Sequence, residues 1–468
     1  WLPAPHLLLM LPSQVLVLWH TGWSGALVGM GCLAASAAAL YRIAARLGFN
    51  RLGRLAVLAC FLANPSILYI YTTALTEPVL MAALLGALAG LASWITAKRR
   101  YSGGELAVFA GLPAAVAVLT RYEGWALTLG CAAFILFAGW RRWNDIRYGI
   151  RMTLSFLSLP LVAMLWWFSY NWTIYGNPVE FAVSDYSAGA QQHELWLAGL
   201  LPTKGNPGLS VWTFGWSVLE TAGIVLIVLA LIGGAVLVLT RGLGLDALLI
   251  WLMGLTLPFN VFTLWYGQST ISNDHTLPPG WFNNRYALSV IPFLAMLVGF
   301  LFDSVSRSHQ VARVRHGRLW LAGGLTALLL VQNLWWLQDL SGRSAVIAEA
   351  AERQLYSRDE VEADQYLAEH YTGGKVLMDE VQIRSAPILG LPLTELYNRS
   401  SGKYWELSLA EPSNFAKWIY VTTGKSNAAS AALQDLVQQT MQEHPERFTN
   451  YEVAFQNATR TVYKRVDQ

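Results

Sequence analysis

Charged residues are scarce in this sequence. Asp, Glu, Lys and Arg make up 13% of its 468 residues, against about 25% in an average soluble protein. Hydrophobic residues make up 54%, and the mean hydropathy is +0.39. This composition is not typical of a soluble enzyme, a nucleic-acid-binding protein or a disordered protein. The net charge of +3 is too small to indicate a charged partner, so no nucleic-acid partner is predicted.

Cysteine is scarce as well. Cys32, Cys60 and Cys131 lie inside apolar runs, and they show neither the spacing of metal ligands nor that of a disulfide framework. We interpret them as apolar core residues. The sequence begins at Trp1 without an initiator Met or a signal peptide, so we expect a truncated or processed chain.

The few charges are unevenly distributed along the chain. Residues 1–338 contain 30 of them, and the 130 residues of 339–468 contain 31. We therefore predict an all-α polytopic membrane domain over 1–338, with about 10 or 11 apolar helices, followed by a small soluble α/β domain over 339–468. The predicted spans are 24–45, 55–71, 77–97, 105–120, 124–140, 150–171, 215–239, 246–266, 285–303 and 319–337, with a shorter apolar helix over 5–20.

Basic residues alternate between the connections of these spans. One set of alternate connections contains 16 Lys and Arg, and the opposite set contains only Arg121, Lys204 and Arg285. Because basic residues concentrate on the cytoplasmic side, the poorer set and the whole of 339–468 are predicted to be extracytoplasmic. Seven of the 11 acidic residues in 1–338 lie on that same side. The pattern predicts a polar, reactive surface at one face of the membrane.

The soluble part alternates helical and strand-like segments. It contains no nucleophile elbow, phosphate-binding loop or metal-spaced His and Cys set. Helices are predicted over Asp359–His370 and Ala428–Glu443, strands over Lys375–Met378 and Trp418–Thr422, and a terminal hairpin over Tyr451–Phe455 and Thr461–Arg465.

Three positions on the extracytoplasmic side are the main candidates for function. Glu77, just before Pro78, either caps its helix or binds a divalent cation or an acceptor. Arg121 and Glu123 either form a local ion pair that closes a helix hairpin or anchor a lipid phosphate. Arg285 either snorkels at the interface or binds phosphate through its two-pronged guanidinium. We predict that Glu77, Arg121 and Arg285 converge on one extracytoplasmic cavity.

Weaker candidates lie on the same side. Glu123, Asp185, His6 and His193 are candidates for binding a metal or an acceptor, and the alternative for each histidine is a solvated loop residue.

Short motifs resemble those of the polytopic GT-C glycosyltransferases, in the branch of protein O-mannosyltransferases and aminoarabinose lipid A transferases. The resemblance rests on the order of the motifs and on the side of the membrane where they lie. It covers about residues 1–338. The motifs are the Pro-rich entry Trp1-Leu2-Pro3-Ala4-Pro5-His6, the span end Tyr41-Arg42-Ile43-Ala44-Ala45-Arg46, Asn64-Pro65, Thr76-Glu77-Pro78, Asn283-Asn284-Arg285-Tyr286, and Ile291-Pro292.

The resemblance implies transfer of a sugar from a polyprenyl-phosphate donor to a lipid, glycan or protein acceptor, with inversion at the anomeric carbon. It implies a multi-pass protein of the plasma or inner membrane, and the Ala-rich, Lys-poor composition suggests a bacterial source. Arg285 and Arg121 would bind the donor phosphate, and Glu77 is the candidate ligand for a divalent Mg or Mn ion. The catalytic general base of this family would lie before Trp1.

Other functions remain open from the sequence. A lipid or sugar transporter or flippase would show charges near mid-span and inverted repeats, and neither is found. A non-catalytic membrane scaffold would show no preference of Glu77 or Arg285 for lipid phosphate. A polymerase or an oligosaccharide ligase would keep the fold and change the chemistry.

Overall fold

The computed structural model describes residues 2–184, 187–276, 279–356, 358–379, 386–423 and 435–466. The chain divides into two compact units. The first comprises the residues up to Leu11 together with Gly25–Ala350, and the second comprises Pro12–Ser24 together with the residues from Ala351 onward.

Helices dominate the described chain up to residue 338. In chain order they are α1 (Ala4–Met10), α2 (Leu16–His20), α3 (Trp23–Arg46), α4 (Arg51–Leu62), α5 (Pro65–Ile70), α6 (Glu77–Ile95), α7 (Gly103–Leu106), α8 (Leu112–Val118), α9 (Tyr122–Trp143), α10 (Ile146–Tyr175), α11 (Glu180–Val183), α12 (Ala188–Leu197), α13 (Pro207–Ala222), α14 (Ile224–Arg241), α15 (Leu245–Met253), α16 (Thr256–Tyr266), α17 (Ile291–Ser306), α18 (His309–Arg313) and α19 (Gly317–Leu337). A π-helical turn, Ala107–Gly111, joins α7 to α8, and a 3₁₀ helix, Asn284–Val290, leads into α17.

Eight helical segments of the described chain are long and apolar enough to cross a membrane. They are α3, α6, α9, α10, α14, the pair α15 and α16, the 3₁₀ helix with α17, and α19. Helices α6 and α17 are the most deeply buried of these, so they form the centre of the first unit.

Three predicted spans differ from the observed helices. The span predicted over 55–71 breaks after α4, because the Asn64 side chain caps α5 by accepting a hydrogen bond from Ile67 N (3.1 Å) and Pro65 has no N–H to donate. The span predicted over 215–239 is interrupted at Gly223, whose φ of +80° ends α13. The span predicted over 105–120 is a shorter apolar helix, Gly103–Val118, that includes the π turn.

Glycines bring the backbones of α4 and α17 into direct contact. A Cβ on Gly299 would overlap the Val57 side chain and come within 2.8 Å of the Gly53 carbonyl oxygen. Asp303, one turn further along α17, accepts a hydrogen bond from Asn50 N (2.7 Å) at the start of α4. Small residues at helix contacts allow this close packing in membrane proteins.

The second unit contains a five-stranded sheet. Its strands are β1 (Val376–Met378), β2 (Leu396–Tyr397), β3 (Trp418–Thr422), β4 (Tyr451–Gln456) and β5 (Arg460–Arg465), in the order β2-β1-β3-β5-β4. The pairs β1–β2 and β1–β3 are parallel, and β3–β5 and β4–β5 are antiparallel. The helices that follow α19 are α20 (Leu340–Arg343), α21 (Ala345–Tyr356), α22 (Arg358–His370), α23 (Ala386–Leu389), α24 (Lys403–Ala410), α25 (Pro412–Phe415) and α26 (Leu436–Glu443).

The predicted fold class, a helical polytopic domain followed by a small α/β domain, is confirmed. The predicted terminal hairpin is the antiparallel pair β4–β5. Sequence analysis missed β2, which has two residues and therefore shows no alternation. Part of the helix predicted over Ala428–Glu443 lies outside the described residues, and the described part is α26.

Replacing Gly299 by Ala should destabilise the first unit, because the added methyl group would force α4 and α17 apart. Overpacking of this kind typically costs about 1–3 kcal/mol. The measurement is the free energy of unfolding in mixed micelles. Gly323→Ala in α19 is the matched control, because a Cβ there meets no atom within 4 Å. Equal effects of the two substitutions would contradict the role of the glycine contact.

Candidate functional site

A buried ionic network forms where several elements of the first unit begin. Glu77 opens α6, and Arg121 and Glu123 lie immediately before and within the first turn of α9. Arg285 lies in the 3₁₀ helix before α17, and Glu349 lies in α21. We call these five residues the Arg–Glu network. It joins residues more than 270 positions apart in the sequence.

One carboxylate oxygen connects the two arginines of the network. Glu77 Oε1 accepts a hydrogen bond from Arg285 Nε (3.0 Å) and from Arg121 Nη1 (3.2 Å). Arg285 Nη1 donates to Glu349 Oε1 (2.8 Å). Arg121 Nε and Nη2 donate to the Glu123 carboxylate at 2.9 to 3.1 Å. The two guanidinium groups therefore share Glu77, and each also has a carboxylate of its own.

Tyr286 lies between the two arginines. The guanidinium carbon of Arg121 is 4.5 Å from the centre of its ring, and that of Arg285 is 5.4 Å away. The negative face of an aromatic ring stabilises a nearby cation. Tyr286 therefore helps to hold two like charges close together.

The network is strongly desolvated. The Glu77 side chain is 6% exposed, and the Arg121 and Arg285 side chains are 14% and 18% exposed. Burial alone lowers the pKa of Arg121, but the carboxylates of Glu123 and Glu77 outweigh it and raise the pKa well above its ordinary value. Arg121 is therefore permanently charged, as the geometry of its bonds requires.

Glu77 and Arg285 each keep hydrogen-bonding capacity. Glu77 Oε2 is buried and has no hydrogen-bond partner among the described residues. Arg285 Nη2 donates to no described residue, since its guanidinium is bonded only through Nε and Nη1. A buried polar atom without a partner is rare in folded proteins. Glu77 therefore offers an acceptor, and Arg285 a donor, to a molecule outside the network.

The sequence candidates are thus partly brought together. Glu77, Arg121, Glu123 and Arg285 form one network, and the local Arg121–Glu123 ion pair exists within it. His6 lies in α1, and its side chain forms no hydrogen bond with a described residue. His193 lies in α12 with its ring 5.7 Å from that of Trp196. Neither histidine is bonded to the network, and Asp185 lies outside the described residues. The binding roles predicted for all these residues stay predictions.

Sequence analysis missed Glu349 and Tyr286. Glu349 was assigned by composition to the soluble part of the chain, although the apolar run Ala345-Val346-Ile347-Ala348 just before it is a signal of burial. Tyr286 belongs to the motif that contains Arg285, but nothing in a single sequence shows that it would contact Arg121 as well.

A titratable pair joins α13 to the loop between α16 and the 3₁₀ helix. Glu220 Oε1 is 3.5 Å from His275 Nε2, and the His275 ring stacks on Trp216 with ring centres 3.7 Å apart. Burial raises the pKa of Glu220 to about 7, and the like charge of Asp274 adds to the shift. Ser217, one turn earlier on α13, donates to Asn284 Oδ1 (2.8 Å), the residue that precedes Arg285. Helix α13 is therefore fixed directly to the segment that positions Arg285.

The comparisons with known proteins give a structural neighbour. No family model matches the sequence, and no curated protein matches it. The structure is similar to the crystal structure of ArnT from Cupriavidus metallidurans in the apo state, with a TM-score of 0.50 and 14% sequence identity. The match covers 94% of this chain and 83% of that chain. The chain therefore has an ArnT-like fold, which agrees with the fold class predicted from the sequence.

Glu77→Gln should destabilise the protein, because both arginines lose the charge of their shared acceptor. Hydrogen bonds to charged groups contribute about 1.5–3 kcal/mol each, and the free energy of unfolding in mixed micelles measures the loss. Asp246→Asn is the matched control, since Asp246 is also in the first turn of its helix but pairs with the half-exposed Arg241. It should cost less than about 1 kcal/mol. A loss at Glu77 no larger than at Asp246 would show that the network does not stabilise the fold.

Glu220 should make stability depend on pH. Its pKa in the folded protein, about 7, is above the ordinary value of 4.5, so the folded state holds the proton more tightly than the unfolded state. Relative to Glu220→Gln, the wild type should be most stable below pH 4.5 and should lose that advantage as the pH rises through 7. Thermal unfolding of both proteins between pH 4 and 8 tests this, with Glu194→Gln on an exposed helix face as control. A constant difference across this range would refute the prediction.

Proposed function

We propose that this protein is a membrane glycosyltransferase that transfers a sugar from a polyprenyl-phosphate donor to an acceptor. Two independent lines support the proposal. The fold is similar to that of ArnT, an aminoarabinose lipid A transferase of the GT-C family. The Arg–Glu network supplies charged groups suited to the phosphate of such a donor.

The proposal depends mainly on the hydrogen bonds of the Arg285 guanidinium. Two of its guanidinium nitrogens are fixed by Glu77 and Glu349, and the third, Nη2, has no described acceptor. A guanidinium held on two sides is pre-oriented, so a phosphate oxygen at Nη2 meets a donor that does not have to reorganise. Arg121 differs, because all three of its nitrogens are already bonded. Arg285 is therefore the better candidate for direct phosphate contact.

In the proposed reaction, the acceptor hydroxyl oxygen bonds to the anomeric carbon as the bond from that carbon to the phosphate oxygen breaks. The electron pair of the broken bond leaves with polyprenyl phosphate, and a general base takes the hydroxyl proton. Arg285 stabilises the negative charge that develops on the phosphate, with Arg121 supporting it through Glu77. A single displacement of this kind inverts the anomeric centre.

Glu77 Oε2 is proposed to accept a hydrogen bond from a substrate hydroxyl. The atom is buried and unpartnered, and it belongs to the same side chain that orients Arg285. A sugar hydroxyl at this position would remove the cost of about 1–3 kcal/mol for an unsatisfied buried group. Donor sugar and donor phosphate would then contact neighbouring atoms of one network.

A divalent metal remains a separate proposal. Among the described residues, no group of three or more His, Cys, Asp or Glu side chains has a geometry that could hold a metal ion. Glu77 Oε2 alone does not make a metal site, so the proposed reaction assigns no step to Mg or Mn.

The proposal extends to the setting of the reaction. The eight apolar segments are those of a multi-pass membrane protein, and we place it in the plasma or inner membrane of a bacterium. The second unit and the Arg–Glu network are proposed to be extracytoplasmic, where a lipid, a glycan or a protein acceptor would be reached.

The decisive assay uses the complete gene product in membranes with labelled polyprenyl-phosphate sugars. Release of polyprenyl phosphate together with transfer of the label to an acceptor is the expected result. Arg285→Gln should lower the transfer rate by about 10²–10³-fold, the typical effect of removing one charge-stabilising donor. The proposal fails if the intact protein releases no polyprenyl phosphate from any donor tested.

Arg313→Gln provides a charge-matched control, since Arg313 is exposed and lies at the end of α18. Its activity should be that of the wild type. If Arg285→Gln and Arg313→Gln transfer sugar equally well, Arg285 does not contact the phosphate.

A further inference from the structure

A groove lies on α10, away from the Arg–Glu network. It has a volume of about 630 Å³ and is lined by Gly103 and Gly104 of α7 and by Arg147, Arg151, Leu154 and Ser155 of α10. We call it the α10 groove. It is an open groove on the helix surface rather than an enclosed cavity.

The polar residues of the groove form one stripe along a membrane-spanning helix. Arg147, Arg151, Ser155 and Ser158 follow one another at intervals of three or four residues, so they share a face of α10. The apolar neighbour Leu154 is 63% exposed on the same surface. Polar and charged residues in a spanning helix are costly unless they have polar partners. The Ser158 hydroxyl already donates to the Ser155 carbonyl (2.7 Å), so the stripe suits a ligand with polar and apolar parts chiefly through its two arginines.

The two arginines of the groove differ from the other arginines nearby. Neither Arg147 nor Arg151 forms a hydrogen bond or an ion pair through its side chain with a described residue, and Arg151 lies only over the Tyr148 ring, at 5.5 Å. The neighbouring arginines are all bonded: Arg99 to Glu105, Arg100 to Asp145, Arg141 to the Leu243 carbonyl and Arg142 to the Trp94 carbonyl. Two positive charges in the groove are thus left for a ligand.

The backbone on the opposite wall shapes the groove. A Cβ on Gly103 would overlap Ser155 Oγ, so the glycine allows α7 to approach α10 closely. A Cβ on Gly104 would meet no atom within 4 Å, so it faces open space. The adjacent π turn, Ala107–Gly111, continues this wall, and such turns are frequent at functional sites.

The α10 groove and the Arg–Glu network lie at opposite ends of α9. Arg121 immediately precedes this helix of 22 residues, and Arg147 follows its end. At 1.5 Å per residue the helix is roughly 33 Å long, about the thickness of the hydrocarbon core of a membrane. The groove is therefore a separate site.

We propose that the α10 groove binds an anionic phospholipid. The headgroup phosphate pairs with Arg147 and Arg151, and Ser155 contributes a hydroxyl donor. An acyl chain continues along the exposed apolar surface of α10, where Leu154 and Leu161 are 63% and 48% exposed. Basic pockets between spanning helices bind anionic headgroups in this manner. This site does not depend on the proposed transferase reaction.

The test measures lipid binding to the purified, delipidated full chain in neutral detergent by native mass spectrometry. Phosphatidylglycerol should bind more tightly than phosphatidylcholine. The double variant Arg147→Gln/Arg151→Gln should bind phosphatidylglycerol about 30-fold more weakly, since each arginine contributes about fivefold near an anionic lipid. Gly104→Phe should also weaken binding, because its ring would fill the groove while both arginines remain.

The double variant Arg313→Gln/Arg318→Gln controls for the change in net charge, because both residues are exposed and lie outside the groove. It should bind phosphatidylglycerol as the wild type does. The proposal is overturned if both groove variants bind phosphatidylglycerol like the wild type, or if phosphatidylcholine binds equally well. It is also overturned if inorganic phosphate alone stabilises the protein against heat as much as phosphatidylglycerol, because the ligand would then be a free anion.

Discussion

The sharing of Glu77 Oε1 between Arg121 and Arg285 is the interaction on which the arrangement of the first unit depends. It joins the start of α6, the start of α9 and the 3₁₀ helix before α17 within two hydrogen bonds. Removing charges from water costs several kcal/mol per ion, so a buried network is stable only when its geometry is nearly complete. Glu123, Glu349 and Tyr286 supply the other contacts of the two arginines here. The three helix starts are therefore held in one mutual position.

The number of bonded guanidinium nitrogens distinguishes the possible roles of the two arginines. For Arg121 the sequence is compatible with a local ion pair or with phosphate binding, and the structure contains the ion pair, with every guanidinium nitrogen bonded. For Arg285, the bonds to Glu77 and Glu349 use Nε and Nη1 and leave Nη2 without an acceptor among the described residues. This one side chain can therefore have both a structural role and a binding role. Rigidity also serves binding, because a donor that is already oriented loses little entropy when a ligand arrives.

The sequence predicted the membrane-spanning helices better than the positions at which they are interrupted. Long apolar runs such as Glu77–Ile95 identify a spanning helix without ambiguity, whereas the interruptions at Asn64 and Gly223 depend on a side-chain cap and a positive φ that hydropathy does not register. In the candidate site, Glu77, Arg121 and Arg285 were found because charge is rare in an apolar chain. Glu349 was missed because it lies in a segment where charge is common, and only the three-dimensional fold brings it to Arg285.

The two ends of α9 use positive charge differently. At its start, two arginines meet three carboxylates, so an incoming phosphate gains from one oriented donor rather than from an excess of positive charge. Beyond its end, Arg147 and Arg151 have no carboxylate partner among the described residues, so an anion there gains directly from two cations. The Arg–Glu network therefore favours a phosphate by its orientation rather than by net charge, which suits a leaving group that must dissociate after the reaction. The α10 groove favours simple charge attraction and suits a lipid that stays bound.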